Sequence, residues 1–402
     1  MDIARTSTAV EVARHEPGGA KRRNLLAACI VHALHDGYTD GLYAFLPIWQ
    51  TQFGLSYAGL AVVRALYYGT MGGLQLPADR LLRGVTPRTA LLLATLIAAA
   101  GFGIMALPLG FAGLCIGLLV AGIGSSIQHP RGSMLVTETY GAASRRPLGI
   151  YNFSGDLGKA TLPALAALLL PLLAWRPVLG IMALLGLAVA GVLLGLAPAV
   201  AARGDAATPS ARGRHAGRGF ALLTGIGGLD TATRMGYLLF LPFLVHSRGG
   251  SSATVGLALA LLFVGGAFGK ASCTWLSERI GVIGSVMATE AATALLMIVT
   301  VFTPLGPMLV VLPVLGIFLN GTSSVLYGTV PELAPGGDTG RAFAIFYTSV
   351  IGSGAVAPIL YGVIADHGSQ TLGIVSAALT ACAIIPLVAA LGPSLRPAAR
   401  GN

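Results

Sequence analysis

The sequence predicts an all-α membrane protein: twelve transmembrane helices in two pseudo-symmetric six-helix bundles. Three observations predict it. Apolar residues make up 55% of the 402 positions and charged residues only 10%. The apolar residues gather into twelve stretches long enough to cross a bilayer. The basic residues fall between those stretches, almost all on one side. A soluble domain carries about 25% charged residues, so a soluble enzyme of this composition could not cover its surface. Disorder is excluded, because disordered chains are poor in apolar residues. The 56 glycines have no three-residue period, which excludes collagen.

A helix needs about 20 apolar residues to cross the hydrocarbon core. The segments that qualify are 24–49, 56–79, 88–107, 110–135, 147–172, 176–197, 220–245, 252–277, 281–303, 307–330, 341–365 and 370–391. Residues 1–23 form a polar, basic tail without a cleavable signal pattern, and span 1 is expected to be retained. Spans 1–6 make one bundle over 24–197. A polar linker over 198–219 follows, then the second bundle over 220–391 and a tail over 392–402. Short turns with Gly or Pro join the other spans.

Lys and Arg fix the orientation. Eighteen lie in the tails, the linker and the loops after even-numbered spans; only Arg176 and Arg248 lie on the other side. Both termini are therefore expected in the cytoplasm, with the chain in the inner (plasma) membrane. The same distribution accounts for the net charge of +10 without a nucleic-acid partner. The four cysteines lie in apolar stretches with no CxxC pair, so neither a disulfide framework nor a zinc site is expected.

The two halves repeat each other. Gly41-Leu-Tyr-Ala-Phe-Leu-Pro47 matches Gly236-Tyr-Leu-Leu-Phe-Leu-Pro242. Arg146, Ile150, Ser154 and Pro163 match Arg341, Ile345, Ser349 and Pro358. Asp79-Arg80 matches Glu278-Arg279, each at the cytoplasmic end of an even-numbered span. The offset stays between 195 and 199 residues. Because each half has six spans, both enter from the same side, giving a parallel repeat about the membrane normal.

Ionisable residues inside the spans are the functional pointers. Each costs about 2.5–3.5 kcal/mol on insertion scales unless it has water or a partner. Span 1 carries His32, His35, Asp36 and Asp40; His32, Asp36 and Asp40 are four apart and share a helix face. Burial favours the neutral form of a carboxyl, so these groups are candidates for proton coupling, with a locking hydrogen-bond network as the structural alternative. Asp36 lies nearest mid-span. Arg64, Gln128, His129 and Arg131 are candidates for substrate binding, since arginine grips phosphate, phosphonate or carboxylate with paired donors. Arg131 could instead reach the cytoplasmic surface, and Arg64 could pair with a span 1 acid. Asp156 and Lys159 (i, i+3) and Asp230 and Arg234 (i, i+4) are either neutralising pairs or partners that switch during transport. Asn320 either bridges helices or binds substrate. His32, His35 and Asp36 suit a metal chemically, but their spacing does not bring them to one point, so no metal site is expected.

The organisation from Asn24 to Leu391 resembles the major facilitator superfamily. The loop after span 2 carries Asp79-Arg80, then Arg83, Gly84 and Arg88, similar to that superfamily's G-x3-D-[RK]-x-G-x-[RK]-[RK] motif, with Gln75 in place of the leading glycine. In span 5, Gly149, Gly158 and Pro163 resemble the proton-antiporter pattern, with Leu162 replacing a glycine. The resemblance gives Asp79, Arg80, Arg83, Gly149, Gly158, Pro163, Glu278 and Arg279 a conformational role. Within the superfamily, the runs His35-Asp36-Gly37-Tyr38-Thr39-Asp40, Phe53-Gly54-Leu55-Ser56-Tyr57 and Gly122 to Pro130 are most similar to the fosmidomycin-resistance group.

The resemblance implies a monomeric secondary transporter exporting a small polar or anionic compound or drug in exchange for protons. A symporter importing an organic acid or metal chelate, and a sensor or assembly protein on the same fold, remain the alternatives. Gly269-Lys270 lacks the glycine and hydroxyl of a phosphate loop, and no catalytic set is present. No enzyme activity and no cofactor are expected; the partners are a small-molecule substrate, protons and the lipid bilayer.

Overall fold

The computed structural model describes residues 18–82, 84–196 and 217–395. Most of the expected linker and tails, and Arg83 of the loop motif, lie outside the described residues. The described chain is helical and its helices follow the expected spans. Span 1 is Gly18–Gly41, continued through a 3-10 turn at Leu42–Phe45 into Leu46–Phe53. Span 2 is Tyr57–Gly73 with a short continuation, Gln75–Leu81. Spans 3 to 7 are Pro87–Ala106, Gly110–Tyr140, Arg145–Leu169, Trp175–Gly195 and Gly217–Ser247. Ser252–Phe302 runs as one 51-residue stretch, divided into spans 8 and 9 at Gly281, whose φ of 75° breaks the helix. Spans 10 to 12 are Leu305–Thr329, Thr339–His367 and Gln370–Leu395.

Local signals set the helix starts. Ser56 accepts from the Gly59 amide and Thr86 from the Thr89 amide. Ser251 and Thr254 form a reciprocal capping box at the start of span 8. Among the described residues, seven helices are long and apolar enough to cross a membrane by themselves, one of them the 51-residue stretch. The helices of spans 1, 2, 5 and 7 fall short of that measure. Span 2 is interrupted at Leu74, and spans 1, 5 and 7 each hold two or more intramembrane ionisable groups. Those polar faces must be turned inward.

The repeat persists in the packing. Ser154 in span 5 donates to the Cys29 carbonyl of span 1 at 3.0 Å. Ser349 in span 11 donates to the Thr224 carbonyl of span 7 at 3.2 Å. Both residues of the second contact lie 195 positions after those of the first.

The two bundles meet mainly through spans 2 and 11 and through spans 5 and 8. At the end remote from the basic loops, Asp366 accepts from the Tyr57 and Ala58 amides at 2.8 and 3.0 Å. Tyr43 donates to the Met235 sulfur at 3.3 Å. Deeper in, Lys270 of span 8 holds Asp156 of span 5 at 2.7 Å. Among the described residues, no hydrogen bond or ion pair joins the bundles nearer the basic end.

Candidate functional site

Asp36 sits midway along span 1, and three titratable side chains converge around it. His32 Nε2 lies 3.7 Å from Oδ2, and His129 Nε2 of span 4 lies 3.7 Å from Oδ1. Lys159 Nζ of span 5 lies 3.2 Å from Oδ2. The same ammonium is 4.0 Å from Asp156 Oδ1, which Lys270 contacts from the other bundle. The result is an alternating chain, Asp36–Lys159–Asp156–Lys270, from the first span into the second bundle. Each carboxylate is buried with 8% of its side chain exposed, and each lysine about one-third exposed. Such charges persist in a low-dielectric setting only when paired.

Glycines make the approach possible. A Cβ on Gly155 would stand 2.5 Å from both Asp36 Oδ2 and His32 Nε2. Gly158 packs against the Ala33 carbonyl, leaving no space for a side chain. Gly132 likewise makes room for the Tyr151 hydroxyl. Tyr151 stacks on the His32 ring at 4.0 Å, and Gln128 Nε2 lies 3.2 Å from both His32 Nδ1 and the Tyr151 hydroxyl. The ring of His32 is thereby fixed in position and orientation.

A second buried pair lies toward the far end. Arg64 Nη2 is 3.8 Å from Asp40 Oδ1. Its Cζ stands 4.6 Å from the Tyr43 ring centre and 5.3 Å from that of Tyr68. Arg64 is 5% exposed, yet Nε, Nη1 and Nη2 make no hydrogen bond. It borders a narrow cleft of ≈ 10 Å³, room for about one water molecule, whose opposite wall is Met235, Leu239 and Gly354 of the second bundle. Apart from the Asp40 ion pair and the tyrosine faces, the five N–H groups on these three nitrogens have no partner, and each unmet buried donor costs about 1–3 kcal/mol.

The remaining candidates lie elsewhere. His35 turns away from Asp36: its Nδ1 meets Ser125 Oγ at 2.9 Å, in a network with Tyr67 and Thr39. Arg131 reaches the basic end and holds Asp79, 3.0 Å from Oδ1 and 2.9 Å from the backbone carbonyl. It ties span 4 to the loop after span 2 and does not face the cleft. Arg80, Glu278 and Arg279 are exposed. A Cβ on Gly149 would meet open space, whereas Gly158 and Pro163 are buried in helix contacts. Asn320 Nδ2 donates to the Gly316 carbonyl at 3.3 Å, and its side chain packs on Gly266, a helix-bridging position.

Two residues were not among the candidate site residues. Lys270, considered in the sequence only for a phosphate loop, joins the chain above. Glu290 in span 9 is 1% exposed and faces Asp230 of span 7 carboxyl to carboxyl. Asp230 and Arg234, although i, i+4, form no ion pair; Arg234 reaches Thr231 at 3.5 Å instead. An acid in the middle of an apolar span is the signal by which Glu290 was recognisable.

Two six-helix bundles with a charged chain across their interface define a membrane transporter. The model of the Major Facilitator Superfamily matches residues 28–224 and 220–402, and the chain belongs to that superfamily. No curated protein matches the sequence. Among solved structures it is similar to a POT family transporter in complex with 5-aminolevulinic acid, at 13% identity and a TM-score of 0.78, over 93% of this chain and 97% of that one. It is also similar to a bacterial homologue of the human lysosomal transporter Spinster, inward-facing and occupied, at 14% identity and a TM-score of 0.70, over 93% and 98%. At these identities the likeness is one of fold.

Proposed function

We propose that this transporter is a proton-coupled antiporter that exports a small polar or anionic compound or drug, with both termini in the cytoplasm of the cell whose inner membrane it spans. The observation that carries this is the Asp36–Lys159–Asp156–Lys270 chain, because it links titratable groups directly to a contact between the bundles. A proton on Asp36 weakens its hold on Lys159, and the ammonium shifts to Asp156. That competes with Lys270, whose release loosens the contact between spans 5 and 8. Protonation therefore biases which end of the passage is open by differential affinity for the two states. Arg64, with its unused donors beside the cleft, is the proposed anchor for an anionic group. The bundle contacts at the far end support a state open toward the basic end.

The fosmidomycin-resistance group is the proposed place of this chain within the superfamily, on its span 1 and span 4 residues. Relatives of fold bind 5-aminolevulinic acid and a thioalcohol-conjugated peptide, and the donors of Arg64 suit a carboxylate-bearing substrate.

The test has two stages. A thermal-shift panel of phosphonates, organic acids, sugars and antibiotics on purified protein identifies a ligand, which raises apparent stability if it binds the folded state. That ligand is then followed in proteoliposomes after a pH jump. Antiport predicts substrate and protons moving in opposite directions. Movement in the same direction identifies a symporter and overturns the proposal.

A further inference from the structure

The fold brings together a ligand set that spacing along span 1 does not. His32 and Asp36 are joined by His129 from span 4, and His35 is excluded. One ligand atom from each residue lies within 4.8 Å of the other two. His32 and Asp36 are buried, and the His129 side chain is 28% exposed. The set is therefore closed on one side and accessible on the other. We propose that His32, Asp36 and His129 form a binding site for a divalent transition metal of the Zn2+, Co2+ or Ni2+ class, with Lys159 as its built-in competitor for Asp36. The inference goes beyond the transport reading and does not rest on proton coupling.

The chemistry of the donors selects the class. Two imidazoles and one carboxylate suit borderline cations, whereas Mg2+ and Ca2+ prefer all-oxygen shells. Three protein ligands with an open fourth position are the arrangement of exchangeable sites rather than of closed structural ones. The surroundings supply the outer support such a site needs. Gln128 stands 3.2 Å from His32 Nδ1, and its Oε1 has no partner. A rotated amide would accept from Nδ1–H and leave Nε2 free to ligate, which is how outer partners fix a metal-binding tautomer. Tyr151 stacked on the ring holds its plane.

Lys159 provides the competition. Its ammonium stands 3.2 Å from Asp36 Oδ2, where a cation would stand, and has a second carboxylate within reach at Asp156. Metal entry displaces it toward Asp156, and metal loss lets it return. Without metal the two lysines balance the two carboxylates; with a divalent cation bound the cluster carries two excess positive charges, which an anionic ligand in the open position would offset. The open coordination positions suit a cation arriving free or held in an organic chelate.

Untagged protein in detergent at fixed pH, with no gradient, is titrated calorimetrically with ZnCl2, NiCl2 and CoCl2, with MgCl2 as control. The expected result is one saturable site for the transition metals and none for Mg2+. His32→Ala and His129→Ala should each weaken binding by about tenfold or more. Lys159→Met should tighten it, a gain that misfolding does not produce. The Co2+ complex should show the visible spectrum of a four-coordinate site with nitrogen ligands. Repeating the titration with the metal–citrate chelate distinguishes the two sources: heat and stoichiometry retained with citrate identify chelate binding, and loss identifies the free ion. Absence of saturable binding, equal binding to Mg2+, or affinities unchanged in both histidine variants would overturn the proposal. None of these outcomes bears on proton coupling, which the flux measurement tests separately.

Discussion

The interface of spans 1 and 5 and the interface of spans 7 and 11 share a backbone and differ in chemistry. Ser154 and Ser349 make the same contact to the facing helix. Gly158 packs on Ala33, and Ser353, 195 positions on, packs on Gly228. Yet the same offset turns His32 into Gly227, Asp36 into Thr231 and Asp40 into Met235. It turns Tyr151 into Phe346, Asp156 into Ile351 and Lys159 into Gly354. Where Tyr151 stacks on a histidine, Phe346 lies on Gly227. The repeat supplies two equivalent frames, and at these equivalent positions only the first is charged; Asp230 and Arg234 of span 7 stand at the positions of His35 and Thr39 instead. The second bundle enters the chain from a different helix, through Lys270. Shape is common to both halves, so the asymmetry points to what the first interface does rather than to how it packs.

The comparison can be broken most severely at Gly155. Its counterpart 195 residues on is Val350, which is 5% exposed and already carries a side chain. Gly155→Ala puts a methyl 2.5 Å from Asp36 and His32, an overpacking worth about 1–3 kcal/mol. We expect loss of transport in proteoliposomes with the protein still folded, while Val350→Ala keeps transport and lowers the melting temperature only. Transport retained in Gly155→Ala would show that the close approach of Asp36 and His32 is not needed.

The link between the bundles is the next largest effect. Asp156→Asn and Lys270→Met remove the same contact. In stability measurements the double variant should therefore lose less than the two singles together, with a coupling of about 0.5–3 kcal/mol. Strict additivity would contradict a direct pair.

Glu290→Gln separates the two acid clusters. Asp36 is surrounded by basic groups, but Glu290 faces another carboxyl, and two like charges in contact repel. Glu290→Gln should leave the melting temperature at neutral pH unchanged or raised, and Asp36→Asn should lower it. A lower melting temperature in Glu290→Gln would show that the pair is stabilising. The smallest effect is the shared one: Ser154→Ala and Ser349→Ala should each cost about 1 kcal/mol or less, Ser154→Ala the smaller, because its hydroxyl also reaches the Tyr151 carbonyl at 2.7 Å.

These contrasts also explain what could be seen in the sequence. The spans, the repeat and the face shared by His32, Asp36 and Asp40 follow from helical period and hydropathy, which are local. Lys159 beside Asp156 was legible for the same reason. His35 was not separable from Asp36 by type, but one residue turns a helix by about 100°, and that places it against Ser125. Lys270 meets Asp156 across 114 positions, and no local pattern connects spans 8 and 5. Asp230 and Arg234 have the spacing of a pair, but Thr231 holds the guanidinium while Glu290 faces the acid. Spacing permits a contact; tertiary packing decides it.

The central claim is that proton coupling resides in the charged frame and not in its apolar counterpart. The most direct measurement compares pH-driven substrate exchange in proteoliposomes for Asp36→Asn and Thr231→Val, residues at equivalent positions of the two bundles. The account predicts that Asp36→Asn abolishes the response to the pH gradient and that Thr231→Val retains it. Full proton-driven exchange in Asp36→Asn, with or without loss in Thr231→Val, would contradict it.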